Sequence, residues 1–292
     1  MPIKSQAQEA HAAKPVRGGS GNTGIYYNGG RVLSTGTRVV AIYWSQSSAI
    51  YAGGPTPTSA GATGAGGSDG SLIGYFLQNF GASSYFNINT TYTDRSGAVP
   101  LSVAYLGYFA DNTGAPTGTQ NVTDAQIQAE VVRAITVGKY SNDQNTIYVV
   151  FTEGTVNLGG GFGTQYCAYH GHFSYGGKDV LFAAQPYTNA YPSSCTNGTA
   201  SPNGDPGADA TINTLAHEIE EAATDPDLNA WFDRRGYENA DKCAWTWGTT
   251  YNSGGGVANM KIGAKDFLIQ RNWINLGSGG CYRGLDSTGP IA

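Results

Sequence analysis

The chain is short of charge, of basic clusters and of long apolar runs. Charged residues make up 13% of it, and the net charge is −5 with a pI near 5.3. No basic block interrupts that acidic balance, which excludes nucleic acid and anionic membrane surfaces as partners. No run reaches 18 apolar residues, so membrane insertion is not expected. Met1 to Ser20 is polar and has no apolar signal-type core; the expectation is a mature chain with an added Met and no signal peptide as written. G-x-S-x-G is missing, and none of the 4 cysteines stands in C-x-x-C spacing. These absences argue against a serine-nucleophile elbow and a thiolate zinc site.

What is abundant is glycine, at 43 residues, and aromatic side chains, with 19 Tyr, 10 Phe and 5 Trp. Turns and long loops around an ample core follow. The length of 292 residues with no internal repeat reads as one domain over 25–286, between a disordered N-terminal tail at 1–24 and a short tail at 287–292. Four cysteines allow three connectivities. Sequential pairing, Cys167–Cys195 and Cys243–Cys281, is preferred because each bridge staples a glycine-rich loop region. The even cysteine count, the low charge and sequons at Asn89, Asn121 and Asn197 favour a secreted, extracellular protein.

The order of elements predicts a mixed α/β (α+β) sheet. Thr37 to Trp44 reads as a central strand, and Tyr51 to Gly67 as a long loop. Ser68 or Asp69 caps a short helix over Ser71–Asn79. Strands follow near Phe86–Tyr92 and Leu101–Phe109. Thr123 caps a helix over Asp124–Val137. Thr146 to Phe151 is a strand buried on both faces. Tyr166 to Phe173 alternates as an edge strand, and Asp179 to Ala184 is another strand. After Pro226 the chain reads as irregular, with a short strand near Lys265–Gln270.

The most helix-like stretch is Thr211 to Asp227, with helix near 208–224. It holds His217-Glu218-Ile219-Glu220-Glu221, an H-E-x-x-E arrangement. In H-E-x-x-H zinc peptidases two ligands stand at i and i+4, with a general-base Glu beside the first. Here Glu221 replaces the second His, and a carboxylate oxygen also binds zinc. At 100° per residue, Ile212, Leu215, Ala216, Ile219, Ala222 and Ala223 form the buried face, and His217, Glu221 and Asp225 lie opposite, towards solvent. A plain surface helix with an i,i+4 pair gives the same pattern. Against it, the acids at 218, 220, 221 and 225 have no Lys or Arg among them, and carboxylates near a helix C-terminus oppose its dipole.

A bound cation answers both objections. Zn²⁺ suits imidazole with carboxylates; Ca²⁺ is the all-oxygen alternative. His217 and Glu221 supply two ligands. The candidates for the third are Asp225, Asp227, Glu238 and Asp241. Asp225 lies about 12 Å from His217 along a straight helix, so it reads as a neighbour or a terminator. Glu238, then Asp241, returning on a loop, are preferred. Glu218 becomes the general base, and His170, with Tyr169, the candidate oxyanion group. His170 and His172 share one side of their strand, where polar decoration of an edge is the plainer reading.

Tyr166-Cys167-Ala168-Tyr169-His170, Pro202-Asn203-Gly204-Asp205-Pro206-Gly207-Ala208-Asp209 and Cys281 resemble the EXORDIUM-like, phosphate-induced protein 1 family. The likeness spans roughly Tyr26 to Tyr282. The microbial branch looks closest, because H-E-x-x-E, T-D-P and E-x-x-D-x-C are present as His217 to Pro226 and Glu238 to Cys243. The resemblance implies secretion and a cell-surface setting more than a reaction. The late helix after a mixed sheet is also similar to the zincin arrangement. The expected function is a secreted zinc metallohydrolase, a peptidase acting on a polypeptide or cell-surface substrate. The alternatives are a non-enzymatic wall-polysaccharide binder, with Trp231, Trp245 and Trp247 as sugar platforms, and a structural Ca²⁺ site.

Overall fold

The structure is a computed structural model that describes residues 24–46, 48–118, 120–154, 156–196 and 201–292. Most of the expected N-terminal tail and the sequon at Asn197 lie outside these residues.

Nine elements carry the architecture. They are β1 (Thr37–Trp44), β2 (Ala62–Ala65), α1 (Leu72–Phe80), β3 (Val103–Asp111), α2 (Asp124–Thr136), β4 (Thr146–Thr152), β5 (Tyr169–Tyr175), β6 (Lys178–Pro186) and α3 (Pro206–Thr224). The strands form one sheet in the order β2-β3-β1-β4-β6-β5. The four inner strands run parallel, and the two edge strands, β2 and β5, are antiparallel to their neighbours.

The buried middles of the inner strands are apolar on both sides, as expected where helices cover both faces. Val39, Ala41 and Tyr43 of β1 face α1 and α3, with Val149 and Phe151 of β4 beside them. Val40, Ile42 and Trp44 face the other way, against Ile127, Val131 and Ala134 of α2. Each fully buried aliphatic or phenyl side chain here contributes about 1.5–3 kcal/mol. The result is an α/β/α sandwich, as the mixed α/β reading anticipates.

The Thr123 cap holds, whereas the cap of α1 is Ser71 rather than Ser68 or Asp69. The Ser71 hydroxyl caps α1 by accepting from Gly74 N at 3.0 Å. Thr123 and Gln126 form a capping box at the start of α2. Asp205 caps α3, accepting from Ala208 N at 3.0 Å, and Pro206 follows at the first helical position. Gly207 lies so close to Tyr187 that a Cβ there would meet the phenol oxygen at 2.0 Å.

Several expectations are corrected. Phe86–Thr91 is a 3₁₀ helix rather than a strand, because Ser83 caps it and Thr91 Oγ1 turns back onto Ile88 O. The loop over 51–67 contains β2, which finds its partner only in the distant β3. Beyond α3 the chain is a run of short antiparallel pairs: 251–253 with 256–258, 260–262 with 265–267, 272–274 with 280–282, and 284–286 with 289–291. The last pair occupies the expected 287–292 tail. Asn89 is fully buried, which rules its sequon out as a glycan site.

The stretch joining the second and third of these pairs lies on α3, with Gln270 against Asn213 and His217 and Asn272 against Glu220. Phe267, Ile269, Trp273 and Ile274 join the same core cluster as Ile212, Leu215 and Ile219. Residues 207–224 of α3 are consequently buried on every side. The face carrying His217, Glu221 and Asp225, expected to meet solvent, meets protein instead. The disulfides are Cys167–Cys195 and Cys243–Cys281, the sequential pairing. The second ties the segment following Asp241 to the third hairpin.

Candidate metal centre

Along α3 the i,i+4 spacing stacks His217 and Glu221, with His217 Nε2 2.9 Å from Glu221 Oε1. A short 3₁₀ turn over Asp241–Cys243 brings a further carboxylate in. Asp241 donates its backbone N–H to Glu221 Oε1 at 3.0 Å, and its Oδ1 lies 3.4 Å from His217 Nε2. On the other side stands β5. The alternation of a strand sends Tyr169 towards α2, where its hydroxyl bonds Asp124, and His170 towards α3. His170 Nδ1 lies 3.3 Å from Glu218 Oε2 and 3.6 Å from Glu221 Oε2, and its Nε2 is 3.7 Å from Glu238 Oε1.

The structure therefore brings together all six residues singled out in the sequence: His170, His217, Glu218, Glu221, Glu238 and Asp241. Tyr169 is not among them, because its hydroxyl is across the sheet. Asp225 ends the helix; its Oδ1 accepts from Asn229 N at 2.6 Å and Ala230 N at 2.5 Å. Asp227 pairs with Arg31 at 2.9 Å, outside the cluster.

These groups are fully or almost fully buried, with Asp241 the most exposed at 9%. Every ion-pair partner of the cluster's carboxylates among the described residues is a histidine. The nearby Lys242 is turned away, its Nζ 3.1 Å from Asp233. Burial pushes Glu238 well above the usual carboxylate range, and the charges of Glu221, Asp225 and Asp241 add to it. Burial, then Glu221, pushes Asp241 up to about 7, with His217 opposing. Asp225 is pushed up to about 6 by burial, against the Ala230 N–H. Burial raises Glu218 as well, against the His170 hydrogen bond. For His217 burial works downward, but the Glu221 charge and the Asp241 contact outweigh it, leaving the imidazole raised.

The atoms that face inward have no hydrogen-bond partners. They are His217 Nε2, Asp241 Oδ1, Glu221 Oε2, Glu238 Oε1, His170 Nε2 and Glu218 Oε1. His217 Nε2 lies 2.9 Å from Glu221 Oε1 and 3.4 Å from Asp241 Oδ1 without a hydrogen bond to either. Orphaned buried polar atoms cost about 1–3 kcal/mol each, more when charged. Ligands on a tetrahedral zinc ion stand about 3.3 Å apart, close to the 3.4 Å between His217 Nε2 and Asp241 Oδ1 and the 3.7 Å between His170 Nε2 and Glu238 Oε1. The donor set and its spacing fit a divalent cation.

Three supporting residues have no motif in the sequence. Gln270 brings its amide nitrogen 2.9 Å from His217 Nδ1 and 3.0 Å from Ala240 O. With that amide donating, His217 carries its proton on Nε2; a cation on Nε2 requires the proton on Nδ1 and the amide oxygen turned to accept it. Asn213 Oδ1 accepts from Gln270 N at 2.8 Å, and Asn272 bonds Glu220, which is thereby kept apart from the cluster.

The three tryptophans form no shared platform. Trp231 is packed edge-on against Tyr92, with its indole N–H bonded to Thr93 O, while Trp245 and Trp247 meet each other at 6.0 Å.

Residues 78–262 match the conserved region of phosphate-induced protein 1, an interval that takes in every inward-facing side chain of the cluster. Protein EXORDIUM-like 3 of Arabidopsis thaliana is similar, at 27% identity over 232 residues, covering 66% of this chain and 66% of the relative. The chain thus spans just under two thirds of that relative's length. No solved structure matches.

Proposed function

The chain belongs to the phosphate-induced protein 1 family, and we propose that it is a secreted metalloprotein whose α3 centre holds zinc in a closed, structural site. Two disulfides fit an oxidising, extracellular setting. The observation that carries the reading is the convergence of buried, partnerless donor atoms on one another. His217, Glu221 and Asp241 are the ligands; imidazole among them favours zinc over Ca²⁺. Three protein ligands leave a fourth position, as in catalytic zinc sites, but burial of the ligands and of Glu218 closes that position to solvent.

The ion would fasten the helix to the Glu238–Cys243 segment. At a free concentration a thousand times its Kd, that linkage is worth about 4 kcal/mol. The test is elemental analysis of the purified protein, followed by thermal melts with and without a chelator. Bound zinc and a lowered Tm on chelation are expected; no bound metal and an unchanged Tm would overturn the reading.

A second reading is a zinc hydrolase of the peptidase type, favoured by Glu218 Oε1, which is unpartnered while Oε2 is held by His170. Zinc supplies a Lewis acid that activates water when bound. Glu218 would accept the proton at Oε1, and His170 would hold the other oxygen and lend a donor to developing negative charge. That reading requires the C-terminal hairpins to open. Hydrolysis of an unstructured polypeptide that disappears in Glu218→Gln with zinc retained would establish it over the structural reading.

A further inference from the structure

We propose that the centre is dinuclear, with Glu221 bridging two divalent cations. This rests on the metal-centre reading above and adds a second site to it. The two oxygens of Glu221 face different histidines. Oε1 lies 2.9 Å from His217 Nε2, on the side of Asp241. Oε2 lies 3.6 Å from His170 Nδ1, and Nε2 of the same ring lies 3.7 Å from Glu238 Oε1. Two triads result, His217–Glu221–Asp241 and His170–Glu221–Glu238, each with its ligand atoms mutually within 4.8 Å.

The second triad has its own unpartnered atoms. His170 Nε2, Glu221 Oε2 and Glu238 Oε1 are all buried without hydrogen bonds. None of them is accounted for by an ion held at Asp241. With its proton on Nδ1, shared with Glu218 Oε2 at 3.3 Å, His170 keeps the Nε2 lone pair for a metal. A carboxylate on the far nitrogen is the usual support of a metal-bound imidazole. Glu218 becomes a positioning residue for His170 in this arrangement.

Charge points the same way. Glu218, Glu221, Asp225, Glu238 and Asp241 are buried around two imidazoles, with no Lys or Arg among their ion-pair partners in the described residues. One divalent ion leaves most of that negative charge unbalanced; two nearly cancel it. A carboxylate can serve two ions at once, one through each oxygen.

The experiment is zinc stoichiometry on the intact protein, after equilibration in buffered zinc. Two equivalents per chain are expected in the wild type, with one remaining in His170→Ala and one in His217→Ala. One equivalent in the wild type overturns the bridge and leaves the mononuclear reading standing. No bound zinc overturns both. Manganese loading of the wild-type protein provides a readout that needs no variant. An exchange-coupled pair signal supports the proposal, and the spectrum of isolated ions at full occupancy overturns it.

Discussion

Under α2, Asp111 and Glu130 are buried beside Arg133, whose guanidinium lies 2.6 Å from Asp111 and 3.7 Å from Glu130. Along α3, a larger set of carboxylates is buried beside two imidazoles only. The same chain thus handles buried acid in two ways. Under α2 it supplies a permanent cation from its own sequence, and burial together with Asp111 pushes the Glu130 carboxyl up to about 9, against Arg133. Along α3 it supplies donor atoms, spaces them at ligand distances and leaves them facing one another. An arginine occupies its site whatever the medium. In the metal-site proposal, an external ion completes the charge balance of the α3 cluster.

The largest effect should come from emptying the α3 centre. Chelation, or Glu221→Ala, is expected to remove about 4 kcal/mol, which for a chain of this size lowers Tm by roughly 8–16 °C. Melts with and without chelator measure it, and an unchanged Tm would erase the contrast with α2.

Next is the pH response of the metal-free protein. Asp225 and Asp241 have folded-state pKa values pushed up to about 6 and about 7 by burial, above those of an unfolded chain. Groups raised in this way stabilise the fold fully below about pH 4 and lose that contribution as pH rises through their folded values. Chelated protein should therefore lose on the order of 3 kcal/mol between pH 5 and pH 8. The metal-loaded protein should gain over the same range, because protons stop competing for the ligands. Melts across that range check the crossing.

Arg133→Met sharpens the comparison from the other side. It strands Asp111, and a loss of about 2–3 kcal/mol is expected, with bound metal unchanged. Smallest is Lys261→Ala, which removes an exposed pair to Asp266 at 3.0 Å and should cost under about 0.5 kcal/mol in a denaturant melt.

The sequence makes the half of the site that lies within one helix legible, because His217 and Glu221 are a fixed i+4 step apart. It also makes Glu238 and Asp241 visible as acids in a charge-poor chain. The strand pattern places His170 on one side of β5 without saying what it faces. What the sequence hides is the cover. The strands at 260–262, 265–267 and 272–274 are three residues each, too short for a period to register. Their packing over α3 turns an amphipathic surface helix into a buried one, and with it turns an expected open catalytic face into a closed centre. Gln270 and Asn272 belong to the same stretch, so their roles could not be read from spacing either. The sheet itself was easier, since buried parallel strands announce themselves as continuous apolar runs.

The Cys243–Cys281 bridge begins two residues after Asp241. It anchors the turn that presents Asp241 and pins Trp273 and its neighbours over the helix. On the metal-site proposal, reducing this bridge frees the turn that carries Asp241, so retention of the ion should depend on these thiols being closed.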